Sequence, residues 1–140
     1  MSSVVFDGIL KVKLSDEQIS FIEQLELPPE AVRLKKKYLH VTLIHQSFLK
    51  EHRSVLKVKS KQGELLEAPL VRLDNIVEAR TDEHLDRKSW VIWVQNQLDL
   101  RSYVERIMED LTGVRSLPEP DRVFHVSIAN LTGNRGDSVR

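Results

Sequence analysis

The chain has 140 residues, 41% hydrophobic and 30% charged, a composition typical of a single soluble globular domain with its own core. Its 21 basic and 21 acidic residues cancel. The basic excess with which proteins hold long polynucleotides is therefore missing, and any nucleic-acid ligand is expected to be small. The chain contains no cysteine, which excludes disulfides and thiolate metal sites and agrees with a cytoplasmic location.

The N-terminal part of the sequence predicts a strand followed by two helices. The first residues contain neither a basic leader nor a long apolar run, so no signal peptide and no membrane association is predicted. Residues 4–14 alternate between apolar and polar side chains and predict the first strand. Ser15 is expected to cap a helix that ends before Pro28 and Pro29. Residues 30–37 predict a second, short helix that ends in lysines.

The central part of the sequence predicts further strands and one long helix. The strands are expected at residues 54–59, 70–80 and 88–95, with a charged loop at 81–87. Asp99 is expected to cap a helix with an apolar stripe, which ends at Gly113. No stretch is long enough to serve as an interdomain linker. The element order predicts one α+β domain over residues 1–140.

Two strand-like segments in opposite halves of the chain carry the same pattern of side chains. One begins His40-Val41-Thr42-Leu43, and the other contains His125-Val126-Ser127-Ile128. Because side chains alternate along a strand, the histidine and the hydroxyl residue of each segment share one side. Two such strands lying side by side would surround one phosphate with two imidazoles and two hydroxyl groups. The alternative is two amphipathic strands with ordinary polar residues.

These residue types suit the cleavage of a phosphodiester. Such a reaction removes a proton from the attacking oxygen and delivers one to the leaving oxygen, and histidine can do either near neutral pH. We therefore expect His40 and His125 to be an acid–base pair, without an assignment of the two roles. Thr42 and Ser127 are expected to donate hydrogen bonds to the non-bridging oxygens. No metal or cofactor is predicted, because protons activate both ends of the reaction.

Four aromatic residues are weaker candidates for substrate contacts. Trp90 and Trp93 alternate on one predicted strand, so either could line a cleft and stack on a base. Phe6 and Tyr38 have similar claims. For all four, packing in the hydrophobic core is the simpler interpretation. The tail around Arg135 is most simply a turn, and binding of a phosphate by Arg135 or Arg140 is the alternative. His45 is expected to be structural because it faces away from His40.

The two histidine motifs resemble the pair that marks the 2H phosphoesterases. This family includes bacterial RNA 2′,3′-cyclic phosphodiesterases and 2′-5′ RNA ligase-like proteins. The resemblance extends to the element order and so to most of the chain. It implies a bilobal, pseudo-symmetric α+β fold in which two antiparallel-sheet lobes with outer helices flank a central cleft. It also implies a metal-independent phosphodiesterase.

The short chain and its tail, Ile128-Ala129-Asn130-Leu131-Thr132-Gly133-Asn134, are similar to compact phage-encoded members of this family. Some of those are anti-CBASS nucleases, which destroy the cyclic di- and trinucleotide signals of bacterial antiphage defence. The resemblance implies cleavage of such a signal in the host bacterial cytoplasm. An RNA-end 2′,3′-cyclic phosphodiesterase is the second hypothesis. A non-catalytic nucleotide-binding sponge is the third. No oligomeric state is predicted.

Overall fold

The computed structural model describes residues 1–139, which form seven β-strands and three α-helices. The strands are β1 (Val4–Phe6), β2 (Leu10–Lys13), β3 (Val32–Arg33), β4 (His40–Ile44), β5 (Leu73–Asp82), β6 (Arg87–Val94) and β7 (His125–Asn130). The helices are α1 (Asp16–Glu23), α2 (Arg53–Gln62) and α3 (Gln97–Thr112). The α+β class is as expected. None of the helices described is long and apolar enough to cross a membrane.

All seven strands belong to one antiparallel sheet. Its order is β1-β2-β4-β7-β6-β5, and β3 pairs with the C-terminal end of β7. The two histidine strands, β4 and β7, are therefore neighbours at the centre, paired in register at Val41 and Val126. The resemblance implied two antiparallel-sheet lobes around a central cleft. Within residues 1–139 the strands form one seven-stranded sheet, with the two motif strands adjacent at its centre.

One face of the sheet builds the hydrophobic core. Val41, Val126 and Ile92 are fully buried on this face, and the same cluster contains apolar side chains from all three helices. Burial of each large apolar side chain contributes about 1.5–3 kcal/mol. The packed face thus determines which way β4 and β7 are turned. The alternate side chains, including both motif histidines, must point to the opposite face.

Two helix ends agree with the sequence predictions. Ser15 caps α1 by accepting a hydrogen bond from the backbone nitrogen of Gln18, whose side chain in turn accepts one from the backbone nitrogen of Ser15. This reciprocal pair is a capping box. Gly113 ends α3 with a φ of 80°, in the left-handed region that favours glycine. The N-cap of α3 is Asn96. Asp99, the predicted N-cap, lies in the first turn of the helix.

Three other local predictions were wrong. Residues 4–14 are two strands, β1 and β2, because the chain turns between Phe6 and Leu10. Residues 30–37 form β3 and a short 3₁₀ turn instead of a helix. Residues 54–59 lie in α2, where Leu56 is buried while Val55 and Val58 are about half exposed. In this helix Leu56 packs in the hydrophobic core, whereas the other side chains of residues 54–59 lie partly or fully in solvent.

Candidate active site

Strands β4 and β7 bring the four motif side chains together. Because the strands are antiparallel with Val41 opposite Val126, His40 lies across from Ser127 and Thr42 across from His125. Cβ atoms of such cross-strand neighbours are about 5 Å apart, and diagonal neighbours about 7 Å. All four side chains line one cavity of about 150 Å³. The two imidazoles thus face a common space, each beside the hydroxyl residue of the other motif.

The rest of the cavity wall comes from segments that cover this face of the sheet. Tyr38, from the 3₁₀ turn before β4, and Arg135, from the C-terminal tail, both line the cavity. The Arg135 guanidinium lies 4.9 Å from the centre of the Tyr38 ring, a cation–π contact. Tyr38 therefore lines the same cavity as the motif residues, and a contact between its ring and a substrate stays a prediction. Arg140 lies outside the described residues.

Asn130, at the end of β7, holds the tail over the cavity. Its side chain is fully buried and makes four hydrogen bonds. The carboxamide oxygen accepts from the backbone nitrogens of Thr132 and Gly133 at 3.0 and 2.6 Å. The amide nitrogen donates to the Asn134 carbonyl at 2.6 Å and to the Ser138 hydroxyl at 3.1 Å. One side chain thus sets the path of the segment that carries Arg135.

Asn130→Ala is therefore expected to lower the free energy of unfolding by about 2–4 kcal/mol, because several buried polar groups lose their partners. Urea unfolding measures this loss. Asn75→Ala is the matched control, since the Asn75 side chain is exposed, and it should stay within about 0.5 kcal/mol of the native protein. Equal effects of the two substitutions would show that the tail does not depend on Asn130.

The His125 ring is held at both nitrogens. Its Nδ1 lies 2.9 Å from the Val123 carbonyl oxygen, and its Nε2 lies 3.3 Å from Nη1 of Arg80. Arginine can only donate, so Nε2 must accept and Nδ1 must carry the proton. Burial lowers the pKa of His125, and the charges of Arg80 and Arg122 lower it further, whereas the Val123 carbonyl opposes them. These surroundings favour the neutral imidazole of His125.

The His40 ring has a different environment. Burial is the main cause that lowers its pKa, and the charges of Lys11 and Arg135 act in the same direction. The Tyr38 carbonyl and the Asp7 carboxylate raise it. Nδ1 of His40 is nevertheless buried without a partner at hydrogen-bonding geometry among residues 1–139. Each ring thus interacts with the carbonyl two residues before it, but only His125 makes a well-formed bond there.

The lowered pKa values of both histidines predict a loss of stability in acid. The unfolded chain binds protons with a pKa near 6.5, while the folded chain resists them. The contribution is therefore complete above about pH 6.5 and decreases as the pH falls through the lowered folded values. Urea unfolding between about pH 7.5 and 5 should show a smaller decrease for the double variant His40→Gln, His125→Gln than for the native protein. His84→Gln, at an exposed position, should keep the native slope; equal slopes in all three proteins would contradict the prediction.

Several basic side chains lie around the site, and two of them are ion-paired, Lys11 with Asp7 and Arg122 with Glu119. Lys11 lies across from Thr42 in the register of β2 and β4, on the face that carries the motifs. Arg135 lies on the cavity wall, and Arg80 and Arg122 act electrostatically on His125. No motif in the sequence marks Lys11, Arg80 or Arg122 as a site residue. A period of two put Lys11 on the polar face of its strand, but nothing in the sequence placed Arg80 near His125.

A second cavity of about 400 Å³ shares His125 with the first. Arg80, Trp93 and Arg122 contribute to its lining. The Trp93 ring meets the His125 ring edge-on, with centroids 5.5 Å apart and an interplanar angle of 71°. Its indole nitrogen donates to Glu78. Trp93 therefore lies beside the histidine cavity, where a base attached to a bound phosphate could reach it.

The remaining predicted substrate contacts are not at this site. Trp90 is 3% exposed and belongs to the hydrophobic core, so its ring cannot stack on a ligand in this conformation. Phe6 lines a separate cavity beside α2, with Arg53 and Lys57. The structure therefore corrects the expectation for Trp90 and separates Phe6 from the histidines. His45 accepts a hydrogen bond from the backbone nitrogen of Ser47, a local capping contact.

No group of three His, Cys, Asp or Glu side chains that could hold a metal ion occurs in the described part of the chain.

Comparisons with protein-family models, with curated proteins and with solved structures each found no match. A functional proposal for this chain therefore depends on the geometry of the site and on the pair of motifs.

Proposed function

We propose that this protein is a phosphodiesterase of the 2H type that cleaves small cyclic oligonucleotides, namely cyclic di- and trinucleotides. One observation carries the proposal: His40, Thr42, His125 and Ser127 line a single cavity. Two imidazoles around one phosphate can remove one proton and supply another. In a phage-encoded protein this activity would act against CBASS signalling in the host cytoplasm.

The first step is attack by a ribose 2′-hydroxyl on the adjacent 3′-phosphate. One histidine takes the proton of this hydroxyl as the new bond from the 2′-oxygen to phosphorus forms. The other, protonated histidine gives its proton to the 5′-oxygen as the bond between that oxygen and phosphorus breaks. The products are a 2′,3′-cyclic phosphate and a free 5′-hydroxyl, and the ring of the nucleotide is opened.

The second step returns both histidines to their starting states. The histidine that gave up its proton is now neutral, and it takes a proton from water as the water oxygen attacks phosphorus. The histidine that accepted the hydroxyl proton in the first step now gives that proton to the departing ribose oxygen. A terminal phosphomonoester remains. Because the two roles exchange between the steps, both rings must stay beside the same phosphate.

The other residues around the cavity suit the charge that develops on the phosphate. The hydroxyls of Thr42 and Ser127 lie beside the imidazoles, from where they would donate to the non-bridging oxygens. Arg135 adds a cation on the wall. A bound phosphate would also raise the pKa of both histidines by its negative charge, which offsets their burial and favours the protonated form that the acid needs.

The test is a substrate panel followed by the product mass. The purified protein is incubated in EDTA with 3′,3′-cGAMP and, separately, with an oligonucleotide that ends in a 2′,3′-cyclic phosphate. Linearisation of the cyclic dinucleotide supports the proposal. Cleavage of the second substrate alone would assign the protein as an RNA-end 2′,3′-cyclic phosphodiesterase. Binding with release of unmodified ligand after denaturation would make it a sponge, and no binding or cleavage would overturn all three.

A further inference from the structure

Arg80 reaches the histidine site from the other half of the sheet. Glu78 lies across from Val91, and Val91 across from Ser127, so these three residues share one face of the sheet. Arg80 is two residues beyond Glu78 on β5 and therefore projects on the same face. There its Nη1 lies 3.3 Å from Nε2 of His125, and its guanidinium carbon lies 5.9 Å from the centre of the Trp93 ring.

This contact occupies the nitrogen that the reaction needs. Nδ1 of His125 faces the Val123 carbonyl, so Nε2 is the atom free to exchange a proton with a substrate in the cavity. In the free protein the lone pair of Nε2 accepts a hydrogen bond from Arg80. A nucleophile can lose its proton to Nε2 only after Arg80 has withdrawn from it.

We propose that Arg80 is a ligand of the substrate phosphate, and that it transfers its hydrogen bond from Nε2 of His125 to a non-bridging oxygen when the phosphate enters the cavity. This inference rests on the proposed function. When the attacking 2′-hydroxyl donates its hydrogen bond to Nε2 of His125, the adjacent phosphate lies within a short side-chain movement of Nη1 of Arg80. A phosphate oxygen is charged whereas a neutral imidazole nitrogen is not, and arginine matches phosphate geometry with two parallel N–H donors, so a bound phosphate competes with Nε2 for the guanidinium. Substrate binding thereby frees His125 as the proton acceptor of the first step, and His40 becomes the donor.

Of the two arginines near His125, Arg80 makes the hydrogen bond to the ring. Arg122 is ion-paired with Glu119 at 2.9 Å, and Glu78 accepts from the indole of Trp93. Asp121 lines the same cavity and is exposed. Arg122 thus supplies positive charge near His125 without a hydrogen bond to it. Arg122→Gln removes a nearby charge, whereas Arg80→Gln removes both a charge and a contact.

The first test uses nitrogen NMR of the full chain with inorganic phosphate as the probe. In the free native protein, His125 should show a protonated Nδ1 and an unprotonated Nε2. Phosphate should shift the signals of the Arg80 guanidinium and of Nε2. Arg80→Gln should weaken phosphate binding about tenfold, the loss of one charged hydrogen bond. Arg122→Gln should weaken it less; equal weakening by both, with no phosphate-dependent shift at Arg80, would overturn the inference.

The second test follows the pH dependence of kcat/KM with a cleaved substrate. Removing the charge of Arg80 should raise the pKa of His125, so the ascending limb of the profile should move to higher pH in Arg80→Gln. Arg80→Lys keeps a charged donor and should restore part of the native profile. Arg115→Gln, in the exposed segment that follows α3, should leave it unchanged. An ascending limb that does not move in Arg80→Gln contradicts the inference. The NMR experiment tests the role of Arg80 even if no tested substrate is cleaved. The absence of cleavage would count against the proposed function alone.

Discussion

Replacement of His40 or His125 by alanine is expected to lower phosphodiester turnover by about 100-fold or more, because each removes one of the two proton transfers. Both rings line the same cavity, and the reaction needs a proton acceptor and a proton donor at the same time. One histidine therefore cannot replace the other. The measurement is single-turnover cleavage of a cyclic dinucleotide at saturating protein, which separates chemistry from product release. The double variant should be hardly slower than either single one, since residues that act as a unit are not additive.

The matched control for these variants is His84→Ala. His84 is exposed in the turn between β5 and β6, away from the cavity lining, and its loss should leave turnover unchanged. Circular dichroism of each variant checks that the fold persists. If His40→Ala or His125→Ala retains more than about a tenth of native turnover, acid–base catalysis by this pair is wrong.

Thr42→Val and Ser127→Ala are expected to lower kcat by about 100-fold each with little change in KM. Each hydroxyl would donate to an oxygen whose negative charge grows in the transition state, and the loss of one such donor typically costs 10²–10³ in rate. Thr42→Val keeps the shape of the side chain, so packing against neighbouring residues is preserved. Steady-state kinetics on the substrate that the panel identifies measures both constants.

Conservative exchanges serve as controls for the two hydroxyls. Thr42→Ser and Ser127→Thr keep the donor and should retain most of the native kcat. A rise in KM at unchanged kcat in Thr42→Val would show that the hydroxyl only helps to bind the ground state. If Thr42→Val and Ser127→Ala both keep kcat within a few-fold of native, the two hydroxyls do not stabilise the transition state. The site would then need another hydrogen-bond donor for the phosphate oxygens.

Predictions of helix ends were confirmed where a few neighbouring residues decide the conformation. Ser15 and Gln18 form the cap of α1 by themselves, and Gly113 ends α3 because the left-handed conformation is easy for glycine. Predictions failed where tertiary contacts override an ambiguous pattern. The short apolar pattern of residues 54–59 is compatible with a strand or a helix, and the burial of Leu56 in the hydrophobic core selects the helix. Trp90 could face a cleft or the core, with the core as the simpler interpretation, and packing placed it in the core.

The amino-acid sequence by itself determined that each motif would show a histidine and a hydroxyl residue on one side of a strand, because the alternation of side chains is a local property of extended backbone. Only the tertiary structure decided that the two strands are neighbours, with His40 across from Ser127 and Thr42 across from His125. It alone placed Arg80 against His125 and Arg135 on the cavity wall. Strand order and register depend on how the whole apolar face packs against the helices, and no short stretch of residues contains that information.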